Sequence, residues 1–202
     1  MDIIPNNVNT VEVVPNKKTN IIIKILLIVF CIAIVFFVGY VLGRENINRN
    51  EKNISMNDVQ KKEILRNDYS IAVPLNWDDV TTTLIMGPKQ GIYGPTLSVV
   101  TEKLNKNINI KQYTDEQYQN LVKEIDNYTL QKEGEYQIEQ NIPAYYRIHS
   151  FPLPEYGIDV TQIQVYVLKE KDAFIFTASE ISSLFQTKLP MFEEMIKKVK
   201  IN

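Results

Sequence analysis

The sequence predicts an α+β domain, an antiparallel β-sheet flanked by helices, preceded by one transmembrane helix. Three observations carry that expectation: an unbroken apolar run near the start, later segments whose apolar residues alternate with a period of two, and two segments where they recur at helical spacing. Strands segregated from a few helices, with no regular βαβ alternation, point to α+β.

The apolar run covers residues 21–43 and reads IIIKILLIVFCIAIVFFVGYVLG, with Lys24 as its only charge. From Ile25 to Gly43 it provides about 19 residues, which at ~1.5 Å rise each span ~28 Å, close to the hydrocarbon thickness of a bilayer. Thirteen of the residues between Ile25 and Val41 are Leu, Ile, Val or Phe, together favouring insertion by about 4 to 8 kcal/mol. Ile25, Leu26, Phe30, Ile34 and Phe37 are assigned to this span, and Lys24 snorkels to the headgroups. A soluble core helix would show an apolar stripe, not apolarity all round. Cleaved export signals carry an apolar region of about 7 to 15 residues behind a short basic start, so this longer run reads as an uncleaved signal anchor. Cys31 follows Phe30, where a lipoprotein would need a small residue. Lys17, Lys18 and Lys24 before the span balance Arg44, Arg49 and Lys52 after it, so the positive-inside rule does not orient the chain.

The expected organisation is a flexible tail over residues 1–20, the span over 21–43, a polar linker over 44–63 and one folded domain over 64–202. The chain has 202 residues, a net charge of -2 and a single His, with lysines interleaved among acids. No basic patch of the kind that binds nucleic acid is present in the sequence. With its one Cys inside the span, the domain is expected to fold without a disulfide.

Within the domain, strands are predicted over residues 69–73, 81–86, 96–101, 136–139 and 144–151. Residues 158–169 alternate most clearly, with Ile163, Val165 and Val167 on one face and Gln162, Gln164 and Tyr166 on a wet one. A turn at residues 169–172 leads into a strand over 173–177, making a hairpin. Thr114 with Gln117 has the spacing of a capping box, and predicts a helix from Thr114 to Tyr128 that buries Tyr118, Leu121, Val122, Ile125 and Tyr128. A short helical piece over residues 181–189 leads to a last helix with Pro190 in its first turn, acids at its start, lysines at its end and Phe192, Met195, Ile196 and Val199 as its stripe.

The opening YSIAVPLNWDDV at residues 69–80, the helix after a long strand, NIPAYYRIHSF at 141–151, two long strands and a last helix follow the order of PsbP/DcrB-like domains, which residues 69–201 resemble. The resemblance implies a non-enzymatic interaction module on the outer side of a membrane, and hence an N-terminus in the cytoplasm. The family's lipidated cysteine is replaced here by an anchor, and no specific partner transfers.

His149 shares a strand face with Tyr145 and Arg147 and reads as a surface or hydrogen-bonded sheet histidine, since no cysteine or motif-framed serine accompanies it. One His gives no zinc site, and Asp78-Asp79 lacks the alternating oxygen ligands of a calcium loop. No catalytic residue, metal or cofactor is therefore expected. The Gly- and Pro-rich residues 87–95 read as a long hairpin end whose Ile92 and Tyr93 form an exposed contact loop, whereas Trp77 reads as a core or rim anchor. The function expected is an anchored accessory domain of the cell envelope, partnered by the bilayer and by an envelope or membrane protein. The alternative is a membrane-tethered small-ligand sensor or enzyme, which a deep pocket with converging polar groups would favour.

Overall fold

In the computed structural model the described residues are 59–79, 83–89, 91 and 93–202. The span, with Ile25, Leu26, Phe30, Ile34 and Phe37, lies outside them, as do the tail and most of the expected linker. Among the described residues, no helix is long and apolar enough to cross a membrane.

The chain runs β1 (Lys61–Leu65), β2 (Tyr69–Pro74), β3 (Asp78–Asp79), β4 (Leu84–Met86), β5 (Thr96–Lys103), α1 (Ile110–Glu124), β6 (Thr129–Ile138), β7 (Ile142–Leu153), β8 (Ile158–Lys169), β9 (Asp172–Ile181), α2 (Ser182–Lys197) and β10 (Lys200–Ile201). Seven strands form one antiparallel sheet in the order β3-β4-β5-β9-β8-β7-β6, and β1-β2-β10 form a second. Between β5 and the far edge strand β6 stand three other strands, so the chain must cross a whole sheet face, and α1 makes that crossing.

The alternation of β8 is realised in register. Ile163, Val165 and Val167, with Phe174, Phe176 and Ala178 of β9, face α2, whose Phe185, Phe192, Met195 and Ile196 are buried against them. The second sheet joins the same core through Ile64, Tyr69, Ile71, Val73 and Ile201, and the Tyr69 ring meets Phe176 edge-on at 6.1 Å. Trp77 is 2 % exposed and sits edge-on to Phe192 at 6.4 Å, an anchor as expected.

Several elements differ from expectation for identifiable reasons. Helix α1 starts four residues early because Asn109 provides the same spacing as Thr114: its Oδ1 accepts from Gln112 N at 2.9 Å, and Gln112 Oε1 accepts from Asn109 N at 3.4 Å. Thr114 lies inside the helix, where its hydroxyl donates to the Lys111 carbonyl at 2.9 Å. The helix ends at Glu124, leaving Tyr128 beyond it and Val122 exposed. Helix α2 is one continuous element with Pro190 inside; the exposed proline forfeits one hydrogen bond, and the buried residues on both sides of it hold the helix together. Strand β6 covers ten residues where four were expected, and β1 begins at Lys61, three residues before the expected domain start.

Tyr93 is a correction. It was expected exposed in a contact loop, but it is buried, its hydroxyl donating to Ser179 Oγ at 3.2 Å while Thr96 and Ser179 hydroxyls lie 2.6 Å apart. Ile92 lies outside the described residues. The described part of this loop packs down because Gly87 lets it: a Cβ there would come within 2.7 Å of the Trp77 indole and 2.8 Å of Pro95. Gly87→Ala is therefore expected to lower stability by about 1 to 3 kcal/mol, read as a shift of the urea midpoint followed through the fluorescence of Trp77.

Candidate functional site

The face of the large sheet under α1 gathers the polar side chains that the alternation sets aside. On β7 it carries Tyr145, Arg147, His149 and Phe151, paired across to Tyr166, Gln164, Gln162 and Val160 of β8. The expected companionship of His149 with Tyr145 and Arg147 holds. Of the two readings of His149, surface or hydrogen-bonded, the structure has the second: His149 and Arg147 are 0 % and 2 % exposed, because the crossing of α1 covers them, and His149 bonds to Gln162. Tyr166 is likewise covered, not wet, and meets Tyr113 of α1 edge-on at 6.2 Å.

Arg147 is the centre. Its Nε donates to Glu133 Oε2 of β6 at 2.8 Å, one Nη to Asp115 Oδ1 of α1 at 2.6 Å, and the other Nη to the Thr114 carbonyl. The guanidinium lies over the Tyr118 ring at 4.9 Å and the Tyr145 ring at 5.7 Å. Burial opposes its charge, but the hydrogen bonds it donates to Glu133 and Asp115, with the Glu133 charge, outweigh burial and hold its pKa above the ordinary value. Asp115 is held below the usual carboxylate range, chiefly by its hydrogen bond from Lys111. With all three kinds of guanidinium nitrogen engaged, Arg147 is a pin between elements.

His149 is handled oppositely. Its ring lies between Tyr128, at 4.7 Å and 26° from parallel, and Phe151, at 6.1 Å and 21°. Gln162 Oε1, 3.1 Å away, only accepts, so the imidazole donates from Nε2. Nδ1 then holds a buried lone pair without a partner among the described residues. Burial pushes the imidazole down to about 4, and the nearby Arg147 charge pushes the same way against the Gln162 hydrogen bond. Burial likewise drives the hydroxyls of Tyr113, Tyr128 and Tyr166 above their ordinary range, so all three stay protonated. Among the described residues the neutral, enclosed His149 bonds only Gln162 and no Ser, Thr or Cys, and the buried hydroxyls of Thr96, Ser179 and Tyr93 bond to one another.

Elsewhere, Glu135, Tyr136, Gln137, Pro143 and Lys197 line an open depression of about 510 Å³ beside the β6 edge. Tyr136 there is committed to the Glu193 carbonyl at 2.9 Å. Asp78 and Asp79 pair with Met86 and Ile85 as a short edge strand, and Asp79 accepts from Arg66. Among the described residues, no group of three or more His, Cys, Asp or Glu is placed to hold a metal ion. Alternation could place His149 beside Arg147, but their burial had no local signal.

A seven-stranded antiparallel sheet with a helix on each face and a small second sheet is a PsbP-like α+β architecture. The profile of the DcrB family matches residues 69–198, more than half of the chain, and the chain belongs to that family. Its fold is shared with solved structures at low identity. The cyanobacterial PsbP (CyanoP) of Synechocystis sp. PCC 6803 is 11% identical with a TM-score of 0.51, covering 71% of this chain and 92% of its own. LpqN of Mycobacterium tuberculosis, described as involved in cell envelope biogenesis, is 15% identical with a TM-score of 0.50, covering 75% and 99%. A Pseudomonas aeruginosa protein of unknown function, PA94, is 14% identical with a TM-score of 0.52, covering 68% and 94%. No curated protein matches the sequence significantly.

Arg147→Met is expected to cost about 2 to 4 kcal/mol, because the carboxylates it leaves are partly exposed and rehydrate while the stacking and hydrogen bonds are lost. Denaturant titration would measure it. His149 carries the acid sensitivity: with a folded pKa near 4 and an unfolded value near 6.5, the unfolded chain binds the extra proton between them. Stability is then fully present above about pH 6.5 and falls by about 3 kcal/mol as pH drops to 4. His149→Phe is expected to flatten that part of the stability-against-pH curve.

Proposed function

We propose that this chain is a single-pass, membrane-anchored accessory domain of the cell envelope, its N-terminus in the cytoplasm and its DcrB-family domain displayed outside. The observation that carries the reading is the apolar run of residues 21–43, with one charge at its edge, set ahead of a family domain that begins at Tyr69. A run that long partitions into a bilayer and holds whatever follows beside the lipid surface.

The domain acts by contact and not by chemistry. Arg147 and His149 are engaged with neighbours under α1 and not presented to a substrate. The shared fold with LpqN, described as involved in cell envelope biogenesis, supports an envelope role, and the partner proposed is an envelope or membrane protein.

Cell fractionation and protease shaving test this. The full chain is expected in the membrane fraction, released by detergent and not by alkaline carbonate, and protease added to intact cells is expected to remove the C-terminal domain. Intact chain in the soluble fraction would refute the anchor; a protected domain with a cleaved N-terminal tail would reverse the orientation.

A further inference from the structure

We propose that the last turn of α1 and the connector after it, residues 121–128, form a flap over His149 that acid releases by protonating the imidazole, while Arg147 keeps the first turns of α1 in place.

The connector supplies the cover. Tyr128 comes from outside the sheet and lies flat on the His149 ring at 4.7 Å, and Tyr118 of α1 braces it edge-on at 5.8 Å. The Tyr128 hydroxyl is buried without a partner among the described residues, so aromatic packing and not hydrogen bonding seats this side chain. The connector has the means to swing: Asn127 holds a left-handed backbone with φ 55, and the β6–β7 register breaks between Leu130 and Lys132, two residues into β6.

A second proton on His149 has no place in the closed state. It would make Nδ1 a donor, and Nδ1 faces no acceptor among the described residues. The charged and titratable groups around the ring offer no relief. On its own strand Arg147 is already cationic, two residues away on the same face; from α1, Asp115 is committed to Arg147 and Lys111, and Tyr118 to stacking. From β6, Glu133 is committed to Arg147; the connector offers Tyr128, its Asp126 being exposed; β8 offers Gln162, with Tyr166 bonded to Gln164. Lifting Tyr128 lets water reach Nδ1 at the smallest structural cost, since β8, β9 and the α2 core lie on or behind the sheet and do not depend on the connector.

Linkage sets the size of the effect. An imidazole at about 4 when covered and near 6.5 when open favours opening about 20-fold more at pH 5 than at pH 7.

The test is hydrogen exchange by mass spectrometry on the full chain in detergent micelles at pH 7 and pH 5, corrected for intrinsic exchange rates. Peptides from residues 121–130 are expected to open about 20-fold more at pH 5 while those of the first turns of α1, of β8 and of β9 keep their protection. His149→Phe is expected to remove the pH dependence. Tyr128→Ala is expected to open the same segment already at pH 7, and serves if the Phe variant does not fold. Equal protection of 121–130 at both pH values, or loss of protection at β8 and β9 together with the first turns of α1, would overturn the flap.

Discussion

One buried cation organises the α1 side of this domain. Arg147 reaches α1 through Asp115 and the Thr114 carbonyl, β6 through Glu133, and stacks on Tyr118 and Tyr145. Removing a guanidinium from water costs several kcal/mol, recovered only when its donors are met with good geometry. Every element it touches is thereby held to one register. A slip of β7 by one residue would turn Arg147 into the apolar core beneath α2 and Ile148 onto the polar face.

The two faces of the large sheet solve different problems. Under α2 and the second sheet lies an apolar core of Ile, Val, Phe and Met that supplies most of the burial. Under α1 lies a smaller cluster of Tyr113, Tyr166 and Ala173, beside the polar rows. On this second side, neighbouring groups of the same strand are stabilised in opposite protonation states: Arg147 charged with its hydrogen bonds met, His149 neutral with one nitrogen unmatched. Cohesion and responsiveness are thus assigned to opposite sides of one sheet.

Features encoded by local periodicity could be read from the chain. The alternation around Ile163, Val165 and Val167 and the stripe of Phe192, Met195, Ile196 and Val199 both ended in the core, as did Trp77. What escaped depends on distant partners. The charged run of β6 hides a strand because an edge strand exposes much of both faces, and the two-residue β10 exists only through its pairing with β2. Thr114 with Gln117 was read as the cap, but Asn109 has the same spacing to Gln112, and Asn is the stronger N-cap residue. The burial of Arg147 and His149 follows from α1 having to travel from β5 to the opposite edge, a consequence of strand order and not of any neighbouring residue. Tyr93 looked like a loop tip, yet Ser179, 86 positions away, gives its hydroxyl a buried partner.

The acidic outer strand β6 has a bearing on crowding. Turned toward a second copy about an axis through Gly134 or Glu133, it would set glutamate against glutamate, Glu133 facing Glu135 or facing itself. Molecules packed side by side on a surface are thereby discouraged from zipping their sheets into a continuous ribbon, and each stays an individual however densely it is planted.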